Sequence, residues 1–307
     1  MNKNKNNKSI VIVLAFIAIY VIWGSTYLLN KIAIAELPPF FLASVRFITA
    51  GLIIFTIAKI LGHSLKISRK QLLNSIFLGF LFLSYGNGVV VWALRYVDSG
   101  FAALVIATQP LVVLLMMFVL QGKKIQLMSI FGVILGITGV TLLISQETIV
   151  TNENTLLGIL MIFSAMLAWS YASIFVKKAD LPKNYFVSTG YQMFSGGIIL
   201  AVMSLAFNEP WSSPLVWQVK TQWVVVLLII FGGIIAFTAF NYLLKHVSPE
   251  KVHTNTYVNP IIALFLGWFF LNEVITLQSI IAAIVLLTGV YFISTKKKAI
   301  LFERFKK

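Results

Sequence analysis

The chain has 307 residues, 59% of them apolar and 11% charged, with a formal net charge of +15, no cysteine and a mean hydropathy of +0.94. A water-soluble domain carries roughly 25% charged residues, so this chain lacks the polar surface to coat even one globule, which excludes the soluble enzyme and binding-module classes. The missing cysteines remove disulfide scaffolds, thiolate metal sites and cysteine nucleophiles together, and leave the redox compartment open.

A helix needs about 20 mostly apolar residues to cross a hydrocarbon core of roughly 30 Å. Runs of that kind cover 10–29, 40–61, 72–94, 101–120, 126–145, 156–176, 186–207, 223–244, 252–271 and 277–295, which predicts an all-α integral membrane protein with ten transmembrane helices. The first run follows Lys3, Lys5 and Lys8, as an export signal would, but it is too long for one and lacks a small-x-small cleavage site. It reads as a retained helix behind a cytoplasmic tail over 1–9, matched by a basic cytoplasmic tail over 296–307.

Charge sets the orientation. With the N-terminus in the cytoplasm, the inner segments hold 20 of the 24 basic residues, and only Lys31, Arg95 and Lys220 fall outside, with Arg46 inside the second span. This positive-inside asymmetry recurs at every inner segment. The net charge is therefore a topology signal, placing the chain in the cell (inner or plasma) membrane with both termini cytoplasmic and the lipid bilayer as a partner. A nucleic-acid partner would need the basic residues on one folded face, and here they are scattered over short loops, so none is expected.

The halves repeat each other. A shift of 146 residues puts Trp23 on Trp169, Lys31 on Lys177, Phe40 on Phe186, Arg46 on Gln192 and Gly51 on Gly197; a shift of 150 puts Leu94 on Leu244, Pro110 on Pro260 and Gly139-Val140 on Gly289-Val290. The repeated Trp, Lys and Pro carry the argument, since Leu and Val coincide by chance. Two five-helix units, 10–145 and 156–295, follow. Five is odd, so the second unit enters the membrane from the opposite side. Inverted repeats of this kind place a binding site near the bilayer midplane at their interface and support alternating access.

The run Trp23-Gly24-Ser25-Thr26-Tyr27, with Pro38-Pro39, Arg46, Asn259-Pro260 and Asn272-Glu273 in that order and spacing, resembles EamA-type members of the drug/metabolite transporter superfamily. The resemblance covers about 10–295 and implies ten helices and export of small metabolites, amino acids or drugs. The first copy departs from it in one respect: Lys123 stands where the second has Glu273. A proton-coupled cation exporter, like the small multidrug exporters of the same superfamily, needs a membrane-embedded carboxylate. None lies near a midplane here; Asp98 and Glu273 sit at outer ends and read as helix-end groups.

Polar groups within the spans tend to face a bundle interior. Arg46 is the ionisable residue well inside a span; its planar fork suits a substrate carboxylate or phosphate, or it anchors helix-end carbonyls. Trp23 and Trp169 lie deeper than an interfacial aromatic belt, either stacking on a ligand or packing helices, and Tyr27 and Tyr171 follow them. Tyr85 and Asn87 in the third span, Gln109 before Pro110 in the fourth, Asn241 and Tyr242 in the eighth, and Asn255, Tyr257 and Asn259 before Pro260 in the ninth complete the candidate substrate-binding set. Pro110 and Pro260 predict kinks that free a backbone carbonyl. The set offers amides, hydroxyls and aromatic faces with one charge, which suits a neutral or zwitterionic, amino-acid-like or aromatic solute. A multidrug or cation exporter stays open, because aromatic faces receive cations too.

Gly132-x-x-x-Gly136 permits close helix approach, either between the two copies or between protomers of a homodimer. A non-carrier membrane protein is the rival class, as a channel or a membrane enzyme. His246, Glu250 and His253 could share a helical face around a metal, but Pro249 favours a turn there. With no H-E-x-x-H, G-x-S-x-G or phosphate loop, neither catalytic residue, metal nor cofactor is expected.

Overall fold

The computed structural model describes residues 2–122, 127–145, 154–247, 252, 253 and 255–294. Ten membrane helices account for nearly all of it: α1 Asn2–Ala33, α2 Pro39–Ile60, α3 Arg69–Ala93, α4 Ser99–Gln121, α5 Leu127–Ile144, α6 Thr155–Phe175, α7 Tyr185–Ala206, α8 Val219–His246, α9 Asn255–Leu271 and α10 Leu277–Ser294. Seven are each long and apolar enough to span a bilayer over their described residues; α5, α9 and α10 carry the shorter apolar stretches Ile130–Gly139, Val258–Leu271 and Leu277–Gly289. The molecule is inverted relative to a soluble protein on its flanks. Ile10, Leu14 and Ile17 on α1, Phe118 and Val119 on α4, and Phe265, Trp268 and Phe269 on α9 are all exposed. A belt of that extent is stable only against lipid.

The packing obeys the repeat. α1 lies on α8 and α9, as its counterpart α6 lies on α3 and α4; α2 packs on α8 as α7 packs on α3; and the pairs α2–α7, α4–α9 and α5–α10 join counterparts to each other. Exchanging every helix for its mate five places on leaves this pattern unchanged. The two inverted five-helix units are thus interleaved around a pseudo-two-fold axis. Glycines set the closest crossings. A Cβ at Gly51 would come 2.8 Å from the backbone N of Phe194, and one at Gly197 would come 2.7 Å from that of Ile48, so α2 and α7 meet backbone to backbone at equivalent positions. The Gly132-x-x-x-Gly136 face of α5 receives Gly289 of α10, where a Cβ would lie 2.7 Å from the Gly132 carbonyl, so this contact joins the two copies.

Two irregularities also repeat. α3 turns π-helical over Phe80–Asn87 and α8 over Leu228–Ile235. Such wide turns interrupt the regular i→i−4 ladder and are frequent at functional sites. α4 breaks after Ile106, and its second part begins at Gln109-Pro110, where proline can start a helix but could not continue one without losing a bond. The Thr108 hydroxyl satisfies the Val105 carbonyl there at 2.7 Å. In α9, Pro260 lies inside the helix.

Candidate functional site

At the seam of the two copies lies a cavity of about 90 Å³. α1, α2, α3, α4, α6, α8 and α9 contribute its walls, while α5, α7 and α10 contribute no lining residue among those described. Its centre is a symmetric aromatic contact. Trp23 of α1 and Trp169 of α6 meet edge to face at 5.7 Å and 84°. Each leans on a glycine of the other copy's π-helical turn: Trp23 donates from Nε1 to the Gly232 carbonyl at 3.4 Å, and a Cβ at Gly86 would come 3.1 Å from the Trp169 ring. Gly86 and Gly232 occupy equivalent positions 146 residues apart. The wide turn and the missing side chain together let an indole approach the backbone. Phe82, Phe237 and Phe240 close around the pair, with Phe82 4.9 Å from Trp169 and Phe240 5.0 Å from Trp23.

The rest of the lining is polar and asymmetric. Tyr27, Thr26 and Asn30 continue one face of α1 below Trp23 in helical spacing; Arg46 faces them from α2, Asn87 from α3, Gln109 from α4, and Asn255, Thr256 and Asn259 from α9. The Asn259 amide, in the orientation that satisfies it, donates to the Tyr20 and Asn255 carbonyls at 2.9 and 3.0 Å and accepts from Asn255 Nδ2 at 3.1 Å. Among the described residues that leaves Asn255 Oδ1 without a partner, and Asn87 Oδ1, Gln109 Nε2 and Arg46 Nε lack one too, all four buried. Buried polar atoms of this kind are normally paired, so four around one cavity mark groups kept for a ligand or water. His253 also lines the cavity, its Nε2 3.2 Å from Ser173 Oγ.

A second polar layer lies at the helix ends that the charge pattern assigns to the outer face. Glu273 accepts from Ser99 N, Ser99 Oγ and Gly100 N at 2.9, 2.7 and 3.1 Å, capping α4 from the other copy, because Asp98 at the N-cap position makes no side-chain cap bond. Glu209 does the same for α2, accepting from Phe40 N at 3.2 Å, Phe41 N at 2.8 Å and Ser204 Oγ at 2.8 Å. A carboxylate there meets the positive end of the helix dipole. Lys31 donates to the Leu94 and Val97 carbonyls at 2.7 Å each and stands 3.9 Å from Asp98. Partial burial, then the nearby Glu273 charge, raises the Asp98 carboxyl above its ordinary range, and Lys31 opposes this.

Of the residues expected from sequence, Trp23, Tyr27, Arg46, Asn87, Gln109, Trp169, Asn255 and Asn259 converge on the cavity. Four others lie outside its lining. Tyr85 is half-buried beside Phe80, and Tyr171 is 37% exposed and stacks on Phe175. Asn241 is buried and donates to Thr189 Oγ1 at 3.2 Å, joining α8 to α7; Tyr242 packs on His246 and Tyr185. The side chain of Tyr257 lies outside the described residues, as do Lys123, Pro249 and Glu250. Pro110 and Pro260 are both buried in their helices. Asn30 is passed over by the sequence reading, although its place one face along from Trp23 and Tyr27 could have found it; His253 is weighed there only as a metal ligand. Among the described residues no three His, Asp or Glu side chains could hold one metal ion.

The profile of the EamA-like transporter family matches this chain twice, over residues 10–145 and 156–295. The chain belongs to the EamA-like transporter family. This EamA-like transporter is 32% identical to the uncharacterized inner membrane transporter YedA of Escherichia coli (strain K12), over 92% of both chains. It is 24% identical to the uncharacterized transporter YoaV of Bacillus subtilis (strain 168), over 91% of this chain and 95% of the relative. A solved structure described only as the crystal structure of a protein superposes with a TM-score of 0.70 at 20% identity, over 96% of this chain and 99% of the other, and supports the fold alone. The EamA-like chain is therefore a multi-pass membrane transporter, with its cavity at the interface of the two matched segments.

Proposed function

We propose that this EamA-like transporter exports a small neutral or zwitterionic metabolite, amino-acid-like or aromatic, by alternating access from the cytoplasm. The observation that carries the reading is the seam cavity. Two repeats of opposite sense meet there across the Trp23–Trp169 contact, and four buried polar atoms around it lack partners among the described residues. Its volume leaves room for several waters or one compact solute. A few placed polar groups on an apolar and aromatic wall are what such a solute needs for orientation without strong desolvation cost.

A layer of side chains flanks it toward each end of the helices. Toward the ends of α3 and α8 assigned to the cytoplasm, the Trp pair is backed by Phe82, Phe237 and Phe240; toward the other ends, Lys31, Asp98 and Glu273 tie the α3–α4 and α9–α10 connections to α1 and α4. Rocking one copy against the other would open these layers in turn, as inverted repeats permit. The test has two stages. Growth of an overexpressing strain on a panel of amino acids, purines and toxic analogues selects the solute, and proteoliposomes with and without a pH gradient measure its flux. Saturable uptake with counterflow is the expected result. A flux that never saturates and shows no counterflow belongs to a channel and would discard the carrier reading.

A further inference from the structure

Arg46 is 2% exposed, deep in the bundle, and unusually short of partners. Among the described residues its one polar contact is Nη1 to Asn30 Oδ1 at 3.4 Å, well beyond the roughly 2.7–2.9 Å of a charge-assisted bond. Its Nε is buried without a partner, and the Phe47 ring lies 4.5 Å from Cζ. The ion pair among the described residues joins Lys31 to Asp98 and does not involve Arg46. A guanidinium cannot escape this situation by losing its proton, as a lysine can, so a buried unpaired one is costly and calls for an anion.

The position does not need a cation for packing. In the second copy the same register on α7 holds Gln192, a buried neutral amide whose Nε2 donates to Ser188 Oγ at 3.1 Å and whose Oε1 has no partner among the described residues; it carries no charge, and the α2–α7 crossing is formed all the same. Gly232, across the cavity wall, leaves room for the charge: a Cβ there would come 3.2 Å from Arg46 Nη2. A second donor without a partner, Gln109 Nε2, lines the same cavity, as do the unpaired acceptors Asn87 Oδ1 and Asn255 Oδ1.

We infer that Arg46 selects the solute by its carboxylate: the transported molecule carries an anionic carboxyl group that completes the coordination of this buried guanidinium, with Gln109 as a second donor and the Asn87 and Asn255 carbonyls facing the solute's own donors. This rests on the transport reading and narrows it. A neutral or purely cationic solute leaves the Arg46 charge uncompensated and is excluded for that reason.

Thermal unfolding of the purified full-length protein in detergent tests this with model compounds in place of the natural solute. The probes are phenylacetate and L-phenylalanine, against phenylacetamide, L-phenylalaninamide and phenethylamine at equal ionic strength. Each is added to wild type, Arg46→Lys and Arg46→Gln. The expected result is a rise of about 2–4 °C or more in wild type with at least one carboxylate and none with its amide or amine. That rise should be absent in Arg46→Gln and reduced in Arg46→Lys, since a point charge lacks the bidentate fork. Without ligand, Arg46→Gln should melt no lower than wild type, because removing an uncompensated buried charge relieves a penalty; a helix-anchoring role would lower it. No carboxylate effect, an equal effect of the amides or amine, an effect that survives in Arg46→Gln, or a destabilised ligand-free Arg46→Gln would each overturn the inference. Saturable counterflow of an uncharged solute would overturn it too and leave the carrier reading standing, whereas non-saturating flux with the carboxylate effect intact would remove the carrier reading alone.

Discussion

At the scale of single residues, the carboxylates at the outer helix ends act as caps placed in trans. Glu209 is nearly buried and has three donors, so Glu209→Ala strands two N–H groups of α2 and should destabilise by about 1–3 kcal/mol, read as a lower melting temperature in detergent. Glu273→Ala at the more accessible α4 cap should cost less, about 0.5–2 kcal/mol. Asp98 behaves in the opposite sense. Its folded pKa is raised, so its contribution to stability is complete below the ordinary carboxylate range and is lost as pH rises through the folded value. Asp98→Asn should therefore melt at or above wild type at neutral pH, with the difference closing in acid; a melting temperature below wild type at neutral pH would show that the Lys31 pairing outweighs burial. The sequence reading reached the helix-end role of Glu273 from its position after α9. It did not reach that of Glu209, and in neither case did it reach the capped helix, whose backbone lies over 160 residues away in the chain.

Helices show a different division. The ten apolar runs, the two prolines and the repeat offsets were legible because each depends on local composition or on self-similarity. The π-helical turns have no periodic signal of their own beyond the glycines Gly86 and Gly232, and their purpose depends on what packs against them, the Trp169 and Trp23 rings from the other copy. Trp23→Phe and Trp169→Phe preserve an aromatic wall, so each should keep expression while lowering transport several-fold; unchanged kinetics in both variants would remove the pair from the site. Asn241, expected at the site, bonds instead to Thr189 between α8 and α7. Asn241→Ala should accordingly lower stability, with solute affinity in the surviving folded fraction left unchanged. Glycine crossings give the sharpest contrast. Gly197→Ala places a Cβ 2.7 Å from the Ile48 backbone and should cost about 1–3 kcal/mol, whereas Gly136→Ala meets only Leu111 at 3.8 Å and should be tolerated.

For the whole molecule, everything follows from two units that cross the bilayer in opposite senses. Interleaving puts equivalent residues, Trp23 with Trp169 and Gly86 with Gly232, on either side of one axis and leaves a cavity where they meet. Divergence between the copies then makes the cavity directional: Arg46 faces it on one side, while Gln192 on the other is turned into the α7 packing. The symmetric part was readable from the sequence shift; the asymmetric part needed the packing, because a shift shows which residues correspond and not which of them reach the cavity. The most direct measurement uses the natural absence of cysteine. His63 and Pro210 are both exposed, in equivalent connections after α2 and α7, 147 residues apart in the chain. With single His63→Cys and Pro210→Cys substitutions, a membrane-impermeant maleimide applied to intact cells should label Pro210→Cys, and His63→Cys only after the membrane is opened. Labelling of both from one side would contradict the inverted arrangement.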